Sequence, residues 1–326
     1  MSTTEGAVPP AGGDPAGNAA APTCYRHPDR VTYVRCTRCD RPICTEDMIP
    51  AAVGFQCPDD VRAGARGTRA ARTTFGSRLP TGDPAVVTKV LLGLNVLVFL
   101  AVKADVTLVP RLWLTSGVRF AGGGVATGEW YRLLTSAFLH ENLLHLLLNM
   151  YALWLFGPPL EAAFGRTRFA ATYLLGGVTG AAASYAFGSL AGASLGASGA
   201  IFALFAAHIV VNRRLGRENS GLWALLAINV VFGFVVAGID WRAHAGGFVG
   251  GLLAAAAVAY APAAHRAAVQ FSGLAVVLLL ALGLVVWRSV DAVSQVGGST
   301  SAGQVVACEL QHPSGGSGYT TCVTGG

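Results

Sequence analysis

Seven apolar segments between residues 86 and 289 constrain this chain more than anything else in it. They cover about 86–104, 139–157, 168–188, 195–212, 221–238, 243–261 and 272–289. Each is close to the length needed to cross about 30 Å of hydrocarbon, several near the lower limit. In a bilayer every backbone polar group must be satisfied within the segment, so such stretches fold as helices. The expected fold class is an all-α polytopic membrane protein. Composition agrees: 53% of the 326 residues are hydrophobic and only 12% charged. The formal charge of +6 sits largely in loops and the N-terminal region. It therefore reads as membrane topology, not nucleic-acid binding.

The third, fourth and sixth segments are rich in Gly and Ala. Small residues let helices pack closely where no hydrophobic effect drives them together. Gly199 and Ala203 form one small-residue face, and Gly247 and Gly251 another. Charge sets the direction of threading. The loops after segments two, four and six carry Arg166 and Arg168, then Arg213, Arg214 and Arg217, then His265 and Arg266. The loops after three and five carry only Arg242. With a cytoplasmic N-terminus the positive-inside rule is met, and seven spans put the C-terminus outside. The first outer loop, 105–138, is the exception, with Arg111, Arg119 and Arg132 beside Trp113, Trp130 and Tyr131. That mixture suggests a loop lying in the outer interface.

Before the first span lie three unlike stretches. Residues 1–22 are mostly Ala, Gly, Pro and Thr and are expected to be disordered. No cleavable signal peptide is expected, since the first 80 residues lack an apolar core of suitable length. Residues 23–61 form a polar module with Cys24-x-x-His27, Cys36-x-x-Cys39, Cys44-x-x-Asp47 and Cys57-x-x-Asp60. Two ligands separated by two residues reach one tetrahedral ion from a tight turn. A module this short has little apolar mass, so metal would supply much of its folding free energy. A disulfide cluster is the alternative, opposed by the odd cysteine number and the cytoplasmic setting. Residues 62–84, with Arg62, Arg66, Arg69, Arg72 and Arg78, read as a basic linker that holds this end in the cytoplasm. Contact with anionic lipid is a secondary reading. Beyond the last span, Cys308 and Cys322 in the 291–326 tail are placed outside, where they could form a disulfide.

The metal pattern resembles a B-box-type zinc finger, in which alternate pairs share an ion. The resemblance implies one zinc on Cys24, His27, Cys44 and Asp47 and a second on Cys36, Cys39, Cys57 and Asp60. Asp47 and Asp60 depart from the usual Cys or His. The zinc is expected to be structural, with a cytoplasmic protein as the module's partner.

Polar residues inside the spans carry the chemistry. Gly196-Ala197-Ser198-Gly199 opens segment four, so Ser198 sits in a first helical turn, where unpaired N–H groups favour an anion. Flanking glycines allow close approach of a substrate backbone. His145 and Asn149 are four apart and share one face of segment two. His244 opens segment six. Intramembrane polar groups are costly and default to a functional reading. Taken singly, each has a bland alternative: helix packing for the serine, an interhelical hydrogen bond for His145 or Asn149, a membrane-edge residue for His244. His140, nearer the start of its segment, reads as structural. Segments two, four and six all run from outside to inside, so Asn149, Ser198 and His244 share one depth near the outer leaflet.

This set resembles the rhomboid family of intramembrane serine proteases. The matching residues are Trp130, Arg132, His140, His145, Asn149, the 196–199 motif, Ala243-His244 and Gly247, over about residues 85–262. The resemblance implies a six-helix core, with the segment in 263–290 as an added seventh helix. It implies Ser198 as nucleophile, His244 as general base, and His145, Asn149 and the Ser198 N–H as oxyanion donors. No catalytic cofactor is implied, and the substrates would be transmembrane proteins within the lipid bilayer. Two other classes compete. A catalytically inactive rhomboid-like protein that binds membrane helices usually lacks the serine or histidine, and both are here. A transporter would show inverted repeats, and none is visible.

Overall fold

The structure, a computed structural model, describes residues 21–67, 72–79, 82–117, 123–236 and 238–297. The stretch 1–20, Arg69, Arg119 and the tail with Cys308 and Cys322 lie outside the described residues. The chain divides into two compact units, Met1–Ala70 and Ala71–Gly326.

The first unit contains a two-stranded antiparallel ribbon, β1 (Ile49–Pro50) and β2 (Phe55–Gln56), followed by α1 (Pro58–Gly67). Asp59 and Asp60 occupy the first turn of α1 and Arg66 the last, which complements the helix dipole. Its buried cluster is Cys36, Ile43 and Cys57, with Tyr25, Cys39 and Met48 packed against it. One aliphatic side chain among three cysteines is a poor hydrophobic core.

The second unit is helical. Short elements α3 (Leu108–Leu112), β3 (Leu114–Thr115), α4 (Arg132–Thr135) and β4 (Ala193–Ser194) decorate seven longer helices. These are α2 (Val86–Ala104), α5 (Leu143–Phe164), α6 (Arg166–Phe187), α7 (Ser198–Arg214), α8 (Ser220–Val235), α9 (Trp241–Ala259) and α10 (Arg266–Gly297). They correspond one to one with the seven apolar segments. By length and composition, α2, α5, α9 and residues 266–294 of α10 are apolar enough to cross a membrane, and α8 is a shorter apolar helix. α6 and α7 are less apolar because most of their surface meets other helices, with Ala200, Ala203, Leu204, Ala206 and Ala207 completely buried. The outward faces are apolar instead: Leu144, Leu148, Tyr151 and Trp154 on α5, and Leu279, Leu280 and Trp287 on α10, are exposed. Such a surface needs lipid to cover it. The chain is a multi-pass membrane protein.

The sequence reading departs from the structure most at α5, at α10, which runs Arg266–Gly297 and not 272–289, and in the basic stretch. α5 starts at Leu143, because Asn142 caps it by accepting from the His145 N–H at 2.9 Å. It continues through Pro158 and Pro159 to Phe164, where Gly165, at φ 81°, ends it. The basic stretch 62–84 is also not uniform. Residues 62–67 belong to α1, whereas 72–79 fold as a turn onto the membrane unit. There Ser77 Oγ donates to the Phe164 carbonyl at 2.5 Å, and the Phe75 and Phe164 rings meet edge to face at 5.5 Å. Gln270 of α10 donates to the Phe75 and Val258 carbonyls at 3.1 and 2.8 Å.

Glu161 fixes α2 on α5. Its buried carboxylate accepts from the Val87 N–H, the Thr88 N–H and the Thr88 hydroxyl at 2.9, 2.8 and 2.9 Å. Those amides belong to the first turn of α2, which has no side-chain cap of its own. Glu161→Ala should destabilise the unit by about 3 kcal/mol, since it strands three donors, two of them buried. Thermal unfolding in detergent measures this, and an unchanged midpoint would show that water replaces the carboxylate.

Candidate active site

Three helices place the site. α5, α7 and α9 run parallel, with α6 antiparallel among them. The register follows from residues too small to hold their backbones apart. A Cβ at Gly247 would lie 2.1 Å from the Gly199 carbonyl oxygen, and one at Gly251 2.3 Å from Ala203 Cα. The two small-residue faces read from the sequence therefore meet each other. α6 closes the third side, where a Cβ at Gly180 would lie 2.8 Å from the Ala243 carbonyl oxygen and 3.2 Å from Gly199 Cα. His244 is thus locked beside the start of α7.

Ser198 is the first residue of α7, after Gly196 at φ 134° and Ala197 as N-cap. A side chain would be strained at Gly196. It would also fill a space, for a Cβ there lies 3.0 Å from Nε2 of His145 and 3.7 Å from Oγ of Ser198. Glycine keeps a side chain from crowding both groups. The His244 ring stacks on Phe202, with centroids 4.2 Å apart and planes 13° from parallel. Phe202 is four residues beyond Ser198 and so on the same helical face. The His244 ring is therefore held flat against the face that carries Ser198. Both residues are half-buried.

His145 projects from the capped first turn of α5. Asn149, buried one turn below, donates from Nδ2 to the His145 carbonyl at 3.0 Å. That bond ties its amide to α5. His140 precedes the helix, is buried, and meets the His145 ring edge to face at 5.2 Å. Neither of its ring nitrogens has a partner among the described residues.

The 105–138 loop supports the serine from another side. β3 pairs with β4, Leu114 opposite Ser194. The Gly196 N–H donates to the Ser136 carbonyl at 2.9 Å, and Ser116 Oγ to the Leu190 carbonyl at 2.5 Å. Arg132 is almost wholly buried. It pairs with Glu129 at 2.7 Å and donates to the Pro110 and Trp113 carbonyls at 2.7 and 3.1 Å. This arginine holds its own loop together, while Trp130 is exposed.

Two contacts escaped the sequence reading. Phe202 looks like any core aromatic unless its spacing from Ser198 is weighed. Asp240 caps α9, accepting from the Arg242 and Ala243 N–H groups at 3.1 and 3.2 Å, and also accepts from the Ser184 hydroxyl. The signal was an aspartate immediately before an apolar helix.

A separate pair of clusters lies in the N-terminal unit. Cys24, His27, Cys44 and Asp47 form one and Cys36, Cys39, Cys57 and Asp60 the other, their ligand atoms all within 4.8 Å of one another. In the first, Cys24 Sγ to Asp47 Oδ2 is 3.2 Å, Cys44 Sγ to His27 Nδ1 is 3.3 Å, and Cys24 Sγ to His27 Nδ1 is 3.8 Å. In the second, Cys36 Sγ to Asp60 Oδ2 is 3.1 Å and Cys39 Sγ to Cys57 Sγ is 3.7 Å. Donors 2.0–2.3 Å from a tetrahedral ion are about 3.3–3.8 Å apart, so the residues fit a metal. The five cysteines are free thiols. Burial pushes the Cys57 thiol up to about 11, and hydrogen bonds from Cys39, Cys36 and Cys57 hold Asp60 down to about 2. Arg41 lies 3.3 Å from the Cys39 sulfur and offsets the cluster's negative charge.

An all-α membrane bundle with a serine, two histidines and an asparagine gathered at one end of three parallel helices defines a class of polytopic protein with a polar intramembrane site. The Rhomboid domain matches residues 127–261. The rhomboid protease GluP of Bacillus subtilis is 42% identical over 139 residues, 41% of this chain and 27% of that protein. YdcA of the same organism, named as a candidate rhomboid protease, is 39% identical over 135 residues, 40% of this chain and 68% of its own length. The rhomboid protease AarA of Providencia stuartii is 30% identical over 169 residues, 43% of this chain and 59% of its own. The chain belongs to the rhomboid family. The match thus spans about a quarter of one of these relatives and about two thirds of another.

Proposed function

We propose that the chain is an intramembrane serine endopeptidase that cuts transmembrane segments of membrane proteins. The convergence of Ser198 Oγ and His145 Nε2 beside Gly196 carries this reading, because a side chain there would crowd both groups and glycine leaves the approach to them clear for a substrate carbonyl. Ser198 Oγ attacks the carbonyl carbon, and His244 takes its proton. The negative charge on the carbonyl oxygen is stabilised by His145, by the Ser198 N–H, and by Asn149 once its amide turns from the His145 carbonyl. Collapse of the intermediate expels the amine, which receives the proton from His244. Water, activated by the same imidazole, then hydrolyses the acyl-enzyme. Phe202 holds the imidazole in place in this dyad. The test is incubation of the purified full chain in detergent with a single-pass test protein. The expected product is cut within or at the edge of its apolar segment. Binding of that protein without any cut would favour an inactive helix-binding relative.

The N-terminal quartets are read as two structural zinc sites that serve a cytoplasmic protein partner, with no part in hydrolysis. The topology proposed is a cytoplasmic N-terminus and an extracytoplasmic C-terminus, because the arginines cluster at the ends of α5–α6, α7–α8 and α9–α10. A reporter fused before residue 80 should be cytoplasmic and one after residue 300 external. Both on one side would make an odd number of spans wrong.

A further inference from the structure

An apolar cavity of about 420 Å³ lies between α6, α9 and α10, away from the Ser198 face. Along α9 it runs from Trp241 to Leu253. Twelve residues at 1.5 Å each make it about 18 Å long, close to the hydrocarbon depth of one leaflet. Dividing the volume by that length leaves a cross-section of about 23 Å², enough for one extended hydrocarbon chain. A transmembrane helix, about 10 Å across, is wider than a slot of that cross-section. Apart from Arg242 and the rings of Phe187 and Trp241, the walls are alkyl groups and glycines, and the hydroxyl of Thr179 is spent on the Gly176 carbonyl at 3.2 Å.

One charged group lines this cavity, Arg242, at the end where α9 begins. It stacks over the Trp241 ring, 4.8 Å from the centroid. Among the described residues no carboxylate lies within ion-pair distance of its guanidinium. Asp240, two residues away, is engaged with the α9 amides and Ser184. Arg288 on α10 is neutralised by Asp291. Arg242 is also the one cation in the loops after segments three and five, which are otherwise free of lysine and arginine. An unpaired arginine beside a tryptophan, at the mouth of a leaflet-deep groove, matches a phosphate above an acyl chain.

We propose that this groove holds one anionic phospholipid, its acyl chain between α6, α9 and α10 and its phosphate on Arg242. The site stands apart from the proteolytic reading and is tested without it. The full chain is purified in mild detergent after exposure to phosphatidylglycerol or phosphatidylcholine, and retained lipid is measured by native mass spectrometry. Wild type should keep one phosphatidylglycerol in preference to phosphatidylcholine. Arg242→Gln should lose that preference roughly fivefold, and Arg242→Lys should recover most of it. Leu280→Trp, at an exposed position lining the groove, should expel either lipid. Unchanged melting curves confirm that the variants fold. Equal retention by wild type and Arg242→Gln, or indifference of both lipids to Leu280→Trp, overturns the proposal. So does cross-linking of two chains through Leu280→Cys with no lipid retained, which assigns the groove to a second copy.

Discussion

Ser198→Ala should leave a protein that folds, inserts and no longer cuts, with turnover reduced at least ~10⁴-fold. Removing the hydroxyl takes away the bond-forming atom. The fold should survive, because Ser198 is half-buried and α7 is held by Gly199 and Ala203 against α9. His244→Ala should cost as much, and the double variant no more, since nucleophile and base act as one unit. His145→Ala removes one oxyanion donor, about 3 kcal/mol or ~10²-fold. Asn149→Ala should cost less, because its amide is already committed to the His145 carbonyl at 3.0 Å. Gly196→Ala tests the geometry directly. Its methyl would sit 3.0 Å from His145 and 3.7 Å from the serine oxygen, on backbone at φ 134°. It should abolish cleavage while leaving Ser198 in place, so a serine-directed phosphonate label could still react. Cleavage rates of a single-pass substrate in detergent decide these points. Substantial turnover by well-folded Ser198→Ala would remove Ser198 as nucleophile.

The bundle was legible because the sequence must satisfy lipid. Each apolar segment returns as a helix, and the Gly and Ala faces of segments four and six return as the α7–α9 contact. Less was legible wherever tertiary contact overrides local pattern. Pro158 and Pro159 argue for a helix end after residue 157, yet the neighbouring helices carry α5 on to Phe164. The pairing of β3 with β4 spans two residues on each side, too short for any alternation to be read. The turn at 72–79 looked like linker, because arginine and glycine hide the one phenylalanine that anchors it. Glu161 shows the same limit. Its partners Val87 and Thr88 are more than seventy residues away in sequence, and only the packed helices bring them together. At the site, Ser198, His145 and His244 could be named from spacing and depth. Phe202 could not, since stacking leaves no mark in the pattern of polar residues.

The second large effect expected is metal-dependent folding of the N-terminal unit. Its buried cluster offers Ile43 and cysteines, so little other than metal is available to close it. Two zinc ions per chain are expected, because both quartets bring four donors to tetrahedral separations. Four thiols or carboxylates in the second quartet, with Cys57 pushed up to about 11 before metal arrives, mean that binding must release protons. Affinity therefore falls as pH falls, and acid should strip the metal. Chelation should unfold residues 21–67, seen as loss of protease resistance there, while the helical unit keeps its melting temperature. Cys36→Ser should remove one zinc and Cys24→Ser the other, and Asp60→Asn should weaken the second site without emptying it. Deleting residues 1–70 should remove all bound zinc yet leave cleavage of a test substrate within a few-fold, since that boundary separates the two compact units. One zinc per chain would mean that a carboxylate fails as ligand. Loss of proteolysis on chelating the truncated protein would show that metal takes part in the chemistry after all.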